Sequence, residues 1–140
     1  MQPPANRAAA VLYAKDIDRV GAFYAGVMGM HIAHKQFDHV LLESPALELA
    51  IVAIPKALAD SITIDDPPVR REDTPIKLAF FVPDLAAART AAARLGGELN
   101  GPAREWRFGE FIVCDGHDPE GNVVQLRTLA PGESGRSTRS

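Results

Sequence analysis

DGHDPEGNVVQLR, residues 115–127, changes character halfway along. Its first half crowds Asp, Gly, His, Asp, Pro and Gly together, the residue types that close tight chain reversals through local hydrogen bonds and left-handed backbone. Its second half, Val123 to Leu129 with the two residues that follow the stretch, is a β-branched and apolar run of strand length. The stretch therefore reads as a turn delivering a strand. Period two places Val124 and Leu126 on one face and Val123, Gln125 and Arg127 on the other. One face can bury, while the other offers an amide and a guanidinium.

The rest of the 140-residue chain carries a second copy of one plan. Ala8 to Ala14 reads as a strand, Asp16 as a helix N-cap, and Ile17, Val20, Phe23 or Tyr24, and Val27 as the buried stripe of the helix, which Gly29 closes. Ile32 to Phe37, His39 to Glu43 and Leu47 to Ile54 are short strand-like runs separated by Asp38, Ser44 and Pro45. After Pro75 the plan returns: a strand over Ile76 to Val82, a cap at Asp84, a helix with Leu85, Ala88, Ala92 and Leu95 on one side, and Gly96 behind it. Glu98 to Asn100, Trp106 to Asp115 and Val123 to Leu129 then supply strands. The order is βαβββ twice, which predicts an α+β fold: a module over 8–55, a connection over 56–75, a module over 76–129 and a disordered tail over 130–140. Asp65, Asp66, Pro67 and Pro68 keep the connection out of regular structure, and it reads as a solvated loop, with a lid over a site as the alternative.

Composition limits the partners. A net charge of −3 gives no electrostatic reason to expect nucleic acid or an anionic membrane surface, and no apolar run is long enough to span a bilayer. The start lacks the layout of a signal peptide, so the expected location is the cytoplasm, which the single Cys114 fits.

Two βαβββ units side by side enclose an open cleft between curved sheets. VLYAKDIDRVGAFYAGVMGM, FFVPDLAAARTAAARLGG and DPEGNVVQL, spread over Ala8 to Thr128, resemble the signature segments of the glyoxalase, bleomycin-resistance and extradiol dioxygenase superfamily, the vicinal oxygen chelate proteins. The resemblance implies a glyoxalase-like curved mixed sheet with an open cleft, a homodimer, and, in the enzymes, a divalent metal held by four His, Glu or Gln side chains from the first and last strands of each module. It places those positions at Ala9, Lys77, Glu48 and Gln125. Ala9 has no donor atom and Lys77 brings a cation, so the metal pattern is incomplete and the expected cofactor is none, with a divalent metal as the alternative.

The expectation is thus a small organic molecule bound or sequestered in the cleft, with Lys77, Gln125, Glu48 and Arg127 as polar anchors. The alternative is a metal-dependent lyase, isomerase or dioxygenase, and a third reading is a module whose cleft its own side chains fill. Lys77 has two readings that can coexist: a charge satisfied by Glu48 and Gln125, or, with Arg127, a binder of an anionic or carbonyl oxygen; a third is a general base or Schiff-base amine, for which spacing identifies no second catalytic group. Tyr13, Trp106 and Phe108 stand either in the core or as apolar walls of the cleft. His31 and His34, three apart on an extended segment, fall on opposite faces, which argues against a metal pair. His39 reads as structural or solvated, His117 and Asp118 as local turn bonding, Asp115 as a cap of that turn, Cys114 as an inert thiol without a basic neighbour, and Glu110 as surface. Spacing leaves open whether the modules pair within one chain or by exchange between two.

Overall fold

The computed structural model describes residues 6–132. Strand β1 (Ala8–Ala14) leads into helix α1 (Ile17–Met28), whose N-cap Asp16 accepts a hydrogen bond from the Arg19 amide at 3.0 Å. The stripe Ile17, Val20, Phe23, Tyr24 and Val27 is buried, as its three- and four-residue spacing requires of a helix lying on a sheet. Strands β2 (His31–Gln36), β3 (His39–Glu43) and β4 (Leu47–Ala53) follow. The sheet runs β1-β4-β3-β2, with β1 parallel to β4 and the other pairs antiparallel.

After a short helix α2 (Lys56–Ala59) and the connection, strand β5 (Leu78–Phe81) and helix α3 (Leu85–Arg94) repeat the plan. Asp84 caps α3 through bonds from the Ala86 and Ala87 amides. The remaining strands are β6 (Glu98–Leu99), β7 (Trp106–Phe108), β8 (Phe111–His117) and β9 (Val123–Leu129), with a 3-10 turn at Pro102–Arg104. The second sheet runs β5-β9-β8-β6, and β7 also pairs with β8. The architecture is the mixed α+β arrangement of two βαβββ modules with open sheets. No helix among the described residues is long and apolar enough to cross a membrane.

Three local readings change. Trp106 to Asp115 is not one strand: Gly109, at φ 60°, reverses the chain into a β7–β8 hairpin, so β6 and β7 together occupy the edge that β2 alone fills in the first sheet. The last strand before the signature turn runs on to His117, so Asp115 lies in β8 opposite Gln125 and caps nothing. In β2 the register slips between Ile32 and His34, which leaves Ala33 as an extra residue. That bulge brings His31 and His34 to the same face, because His31 pairs with Glu43 and His34 with Leu41. The tail lies outside the described residues from 133 on, although Ala130 is buried and its amide bonds the Glu110 carbonyl at 2.9 Å.

The turn at 118–122 is the hub of the molecule. One Asp118 oxygen accepts from the Glu120 amide at 2.9 Å and from the Asn122 amide at 3.0 Å, and the other accepts from the Tyr24 hydroxyl at 2.9 Å. The Asn122 side chain bonds both oxygens. Burial pushes the Asp118 carboxyl up in pKa, against the pull of those donors, and pushes the Tyr24 hydroxyl up as well, helped by the neighbouring carboxylate. The Glu120 carboxylate accepts from the Lys15 and Asp16 amides at 2.9 and 2.8 Å, which ties the turn to the start of α1. The Arg71 amide bonds the Gly121 carbonyl at 2.8 Å and anchors the connection there too.

Candidate functional site

Strand register sorts the second sheet into two faces. Val124 and Leu126 are buried on the helix side, while Gln125 and Arg127 face away from it. Ala79 lies opposite Gln125 and Phe81 opposite Arg127 on β5, and Asp115 and Val113 lie opposite the same two residues on β8. Trp106 pairs with Val113, and Phe108 with Phe111. All of these side chains therefore share the open face.

On it runs a row of hydrogen-bonded groups. The Lys77 Nζ stands 2.9 Å from Asp115 Oδ2, the Gln125 Nε2 donates to Asp115 Oδ1 at 3.3 Å, and the Arg127 Nε donates to Gln125 Oε1 at 2.8 Å. The Arg127 guanidinium carbon lies 5.1 Å from the Phe108 ring centre and 5.9 Å from that of Phe81, within cation–π range of both. Phe81 in turn meets Phe111 edge-on at 5.1 Å. Two cations thus flank one carboxylate and one amide, with an aromatic cluster at one end.

The other end opens into a cavity of about 160 Å³ whose walls include Arg70, Thr74, Lys77, Asn100, Arg104 and Asp115. The Arg70 guanidinium donates to Asn100 Oδ1, a neutral partner, at 2.9 Å, and Glu72 lines the same cavity. Among the described residues the Arg104 side chain has no hydrogen-bond or ion-pair partner, its backbone amide alone bonding the Gly101 carbonyl. Arg70, Asn100 and Arg104 escaped the sequence reading because they come from the connection, the end of β6 and a 3-10 turn. No spacing within one segment relates them.

The sequence-based anchors divide between the two sheets. Lys77, Gln125 and Arg127 come together as the row. Glu48 does not join them: its carboxylate lies 3.8 Å from Arg7, which also holds Glu43 at 3.3 Å, on the open face of the first sheet. The satisfied partner of Lys77 is accordingly Asp115. Tyr13, Trp106 and Phe108 are 60%, 40% and 57% exposed, so none is a core residue. Trp106 and Phe108 border the row, whereas Tyr13 pairs with Val52 in the first sheet.

The histidines lie apart from the row. His34 and His39 place their rings 5.3 Å apart on the first sheet, and His39 Nδ1 is 2.9 Å from Asp38. His117 Nδ1 meets the Asp118 carbonyl, local bonding of the kind its turn position implies. Cys114 is buried on the helix side and does have a basic neighbour, Arg89, at 3.8 Å; burial nevertheless outweighs it and pushes the thiol pKa up.

A divalent ion does not fit the four positions named by the resemblance. Ala9 offers no donor, Lys77 is an ammonium already paired with a carboxylate, and Glu48 is engaged by Arg7, which leaves Gln125 alone. Among the described residues no three His, Cys, Asp or Glu side chains gather in an arrangement that could hold a metal.

The family model of the glyoxalase-like domain matches residues 9–127. No curated protein matches the sequence. Among solved structures, a glyoxalase/bleomycin resistance protein/dioxygenase family enzyme from Burkholderia phytofirmans PsJN is similar, at 17% identity and a TM-score of 0.63, over 87% of this chain and 97% of its own. The fosfomycin resistance protein FosX from Mesorhizobium loti is similar at 14% identity and a TM-score of 0.58, over 96% of this chain and 98% of its own. An integron cassette protein from Vibrio cholerae is similar at 17% identity and a TM-score of 0.59, over 93% and 98%. Likeness at such identities is one of fold, but the family model spans both modules and the hub turn, and the chain belongs to the glyoxalase-like domain family.

Proposed function

We propose that the protein binds a small organic anion on the open face of its second sheet, without a metal. The row Lys77–Asp115–Gln125–Arg127 carries this reading: it presents two cations and an amide at hydrogen-bonding spacing on an exposed face, beside apolar rings. A carboxylate or polarised carbonyl oxygen entering between Lys77 and Arg127 gains charge-assisted bonds, each stronger than a neutral one. Phe81, Phe108 and Trp106 then cover the apolar part of the ligand. Lys77 is ion-paired with Asp115 and the row offers no Ser, Thr or Cys nucleophile, which favours binding or sequestration over catalysis. The same reading includes a homodimer, supported by large exposed apolar side chains such as Phe37, Phe81 and Tyr13, and sedimentation at micromolar concentration checks it.

Calorimetric titration with benzoate, with benzyl alcohol as the uncharged control, tests the binding role. Benzoate binds at least tenfold more tightly than the alcohol, and Arg127→Ala or Lys77→Met lowers its affinity by about tenfold, equivalent to ~1.4 kcal/mol. Unchanged affinity in both variants would refute the reading. Binding that a chelator abolishes and a divalent cation restores would replace it with the metal-dependent one.

A further inference from the structure

The cationic cavity beside Lys77 does not end at its own walls. A second cavity, of about 430 Å³, lies between β1 and β5, and Thr74, Ile76 and Val123 line both. β1 and β5 are the edge strands of their sheets, each paired on one side only, so the second cavity is the seam where the two modules meet without joining their ladders. Its chemistry is the opposite of the first. Ala10, Leu12, Leu78 and Val124 are aliphatic, and the buried Tyr24 forms part of the wall with its hydroxyl already committed to Asp118.

We infer that the ligand is an anionic amphiphile, whose carboxylate-like head lies among Lys77, Arg70 and Arg104 and whose unbranched aliphatic body enters the seam between β1 and β5. This rests on the anion-binding role proposed for the open face, with which it shares Lys77, and places the head of this ligand at the cavity end of the row instead of between Lys77 and Arg127. Volume and polarity both support it. The head cavity is small and carries three cations against the carboxylates of Glu72 and Asp115, which leaves room for one further negative charge. The seam has the volume of an ordinary small-molecule site and a predominantly aliphatic lining, which rewards methylene groups and offers a second charge no partner. The shared wall of Thr74, Ile76 and Val123 puts the two environments next to each other, so one molecule with a polar end and a flexible body satisfies both. Val11, 60% exposed, lines the seam and not the head cavity, and can be altered without disturbing the core.

The test is a calorimetric series of acetate, butanoate, hexanoate and octanoate against the full chain, with octanol as the uncharged control. Affinity rises along the series by up to about fourfold per methylene until the seam is full. Octanoate binds at least tenfold more tightly than octanol. Arg104→Gln weakens every acid by a similar factor, whereas Val11→Asn, a neutral change confined to the seam, weakens octanoate severalfold and leaves acetate and benzoate unchanged. Thermal unfolding of both variants, matched to the parent, excludes a folding defect. Equal affinity for acetate and octanoate, or a Val11→Asn variant that binds octanoate like the parent, overturns the inference. If benzoate binding still depends on Arg127 in that case, the open-face reading stands alone; if benzoate also fails to bind, both fall.

Discussion

Gly121 is the residue whose replacement should be felt most widely. It holds φ at +87°, and a Cβ there would stand well inside van der Waals contact of the Val69 carbonyl oxygen. Gly29, at φ +72°, has nothing within 4 Å of the equivalent point, so the pair separates the two costs. Left-handed backbone alone costs an alanine about 1–2 kcal/mol. Forcing an atom into packed backbone adds about 1–3 kcal/mol. Gly29→Ala should therefore lose about 1–2 kcal/mol and Gly121→Ala about 2–5 kcal/mol, a difference that shifts the urea midpoint by about 1 M. The clash has a second consequence. Relieving it displaces the segment from Val69 to Arg71, which carries the amide bond from Arg71 to Gly121 and the Arg70 guanidinium held on Asn100. Gly121→Ala should thus also weaken benzoate or octanoate binding, while Gly29→Ala leaves it intact. Equal midpoints for the two variants would refute the close-approach argument, and unchanged anion affinity in Gly121→Ala would disconnect the hub from the site.

Three further outcomes follow from the core. Asp118→Asn places an amide hydrogen against the Asn122 side-chain donor and should cost at least about 2 kcal/mol in urea unfolding near neutral pH. Because burial raises the Asp118 pKa in the folded chain, its contribution to stability is greatest below the usual carboxylate range and falls as pH rises through the raised value, so the gap between parent and Asp118→Asn should widen toward acid. The Cys114 thiol, raised by burial, should resist iodoacetamide at pH 8 in the native state and react at the rate of a free thiol only once the chain is unfolded in urea. A chain of residues 69–132 alone should show no cooperative unfolding, since it loses Tyr24 from Asp118 and Phe23 from its place against the backbone at Gly97.

Much of this was legible before any coordinates. The apolar stripes of α1 and α3, each opened by an aspartate, signal helices on a sheet because capping and 3.6-residue periodicity are local properties. The alternation in β9 separates Gln125 and Arg127 from Val124 and Leu126 for the same reason. What stayed hidden depends on registers that no single segment contains. Asp115 meets Lys77 because β8 pairs with β9 at one register, and Glu48 is drawn instead to Arg7, outside its own strand. The bulge at Ala33 defeats simple parity, so His31 and His34 share a face despite an odd spacing. The hairpin after Phe108 did carry a signal, the Gly109–Glu110 pair between two aromatic runs, which the surrounding apolar residues masked.

The helix-side and open faces of this fold are under different physical constraints, which explains how a clear family signature coexists with an altered site. The DPEGN turn bonds the start of α1 and the connection and leads into β9, and Tyr24 meets Phe23 edge-on and Phe80 at a tilt, so residues from both modules share one core. A change there disturbs several elements together and is costly. Lys77, Gln125, Arg127, Phe81 and Phe108 lie on the side of the sheet away from the helices, the two phenylalanines more than half exposed, where exchanging one side chain for another perturbs packing little. The fold therefore keeps its signature in the hub, while the open face tolerates different side chains, such as Ala9 and Lys77 at the positions that the resemblance names for metal ligands.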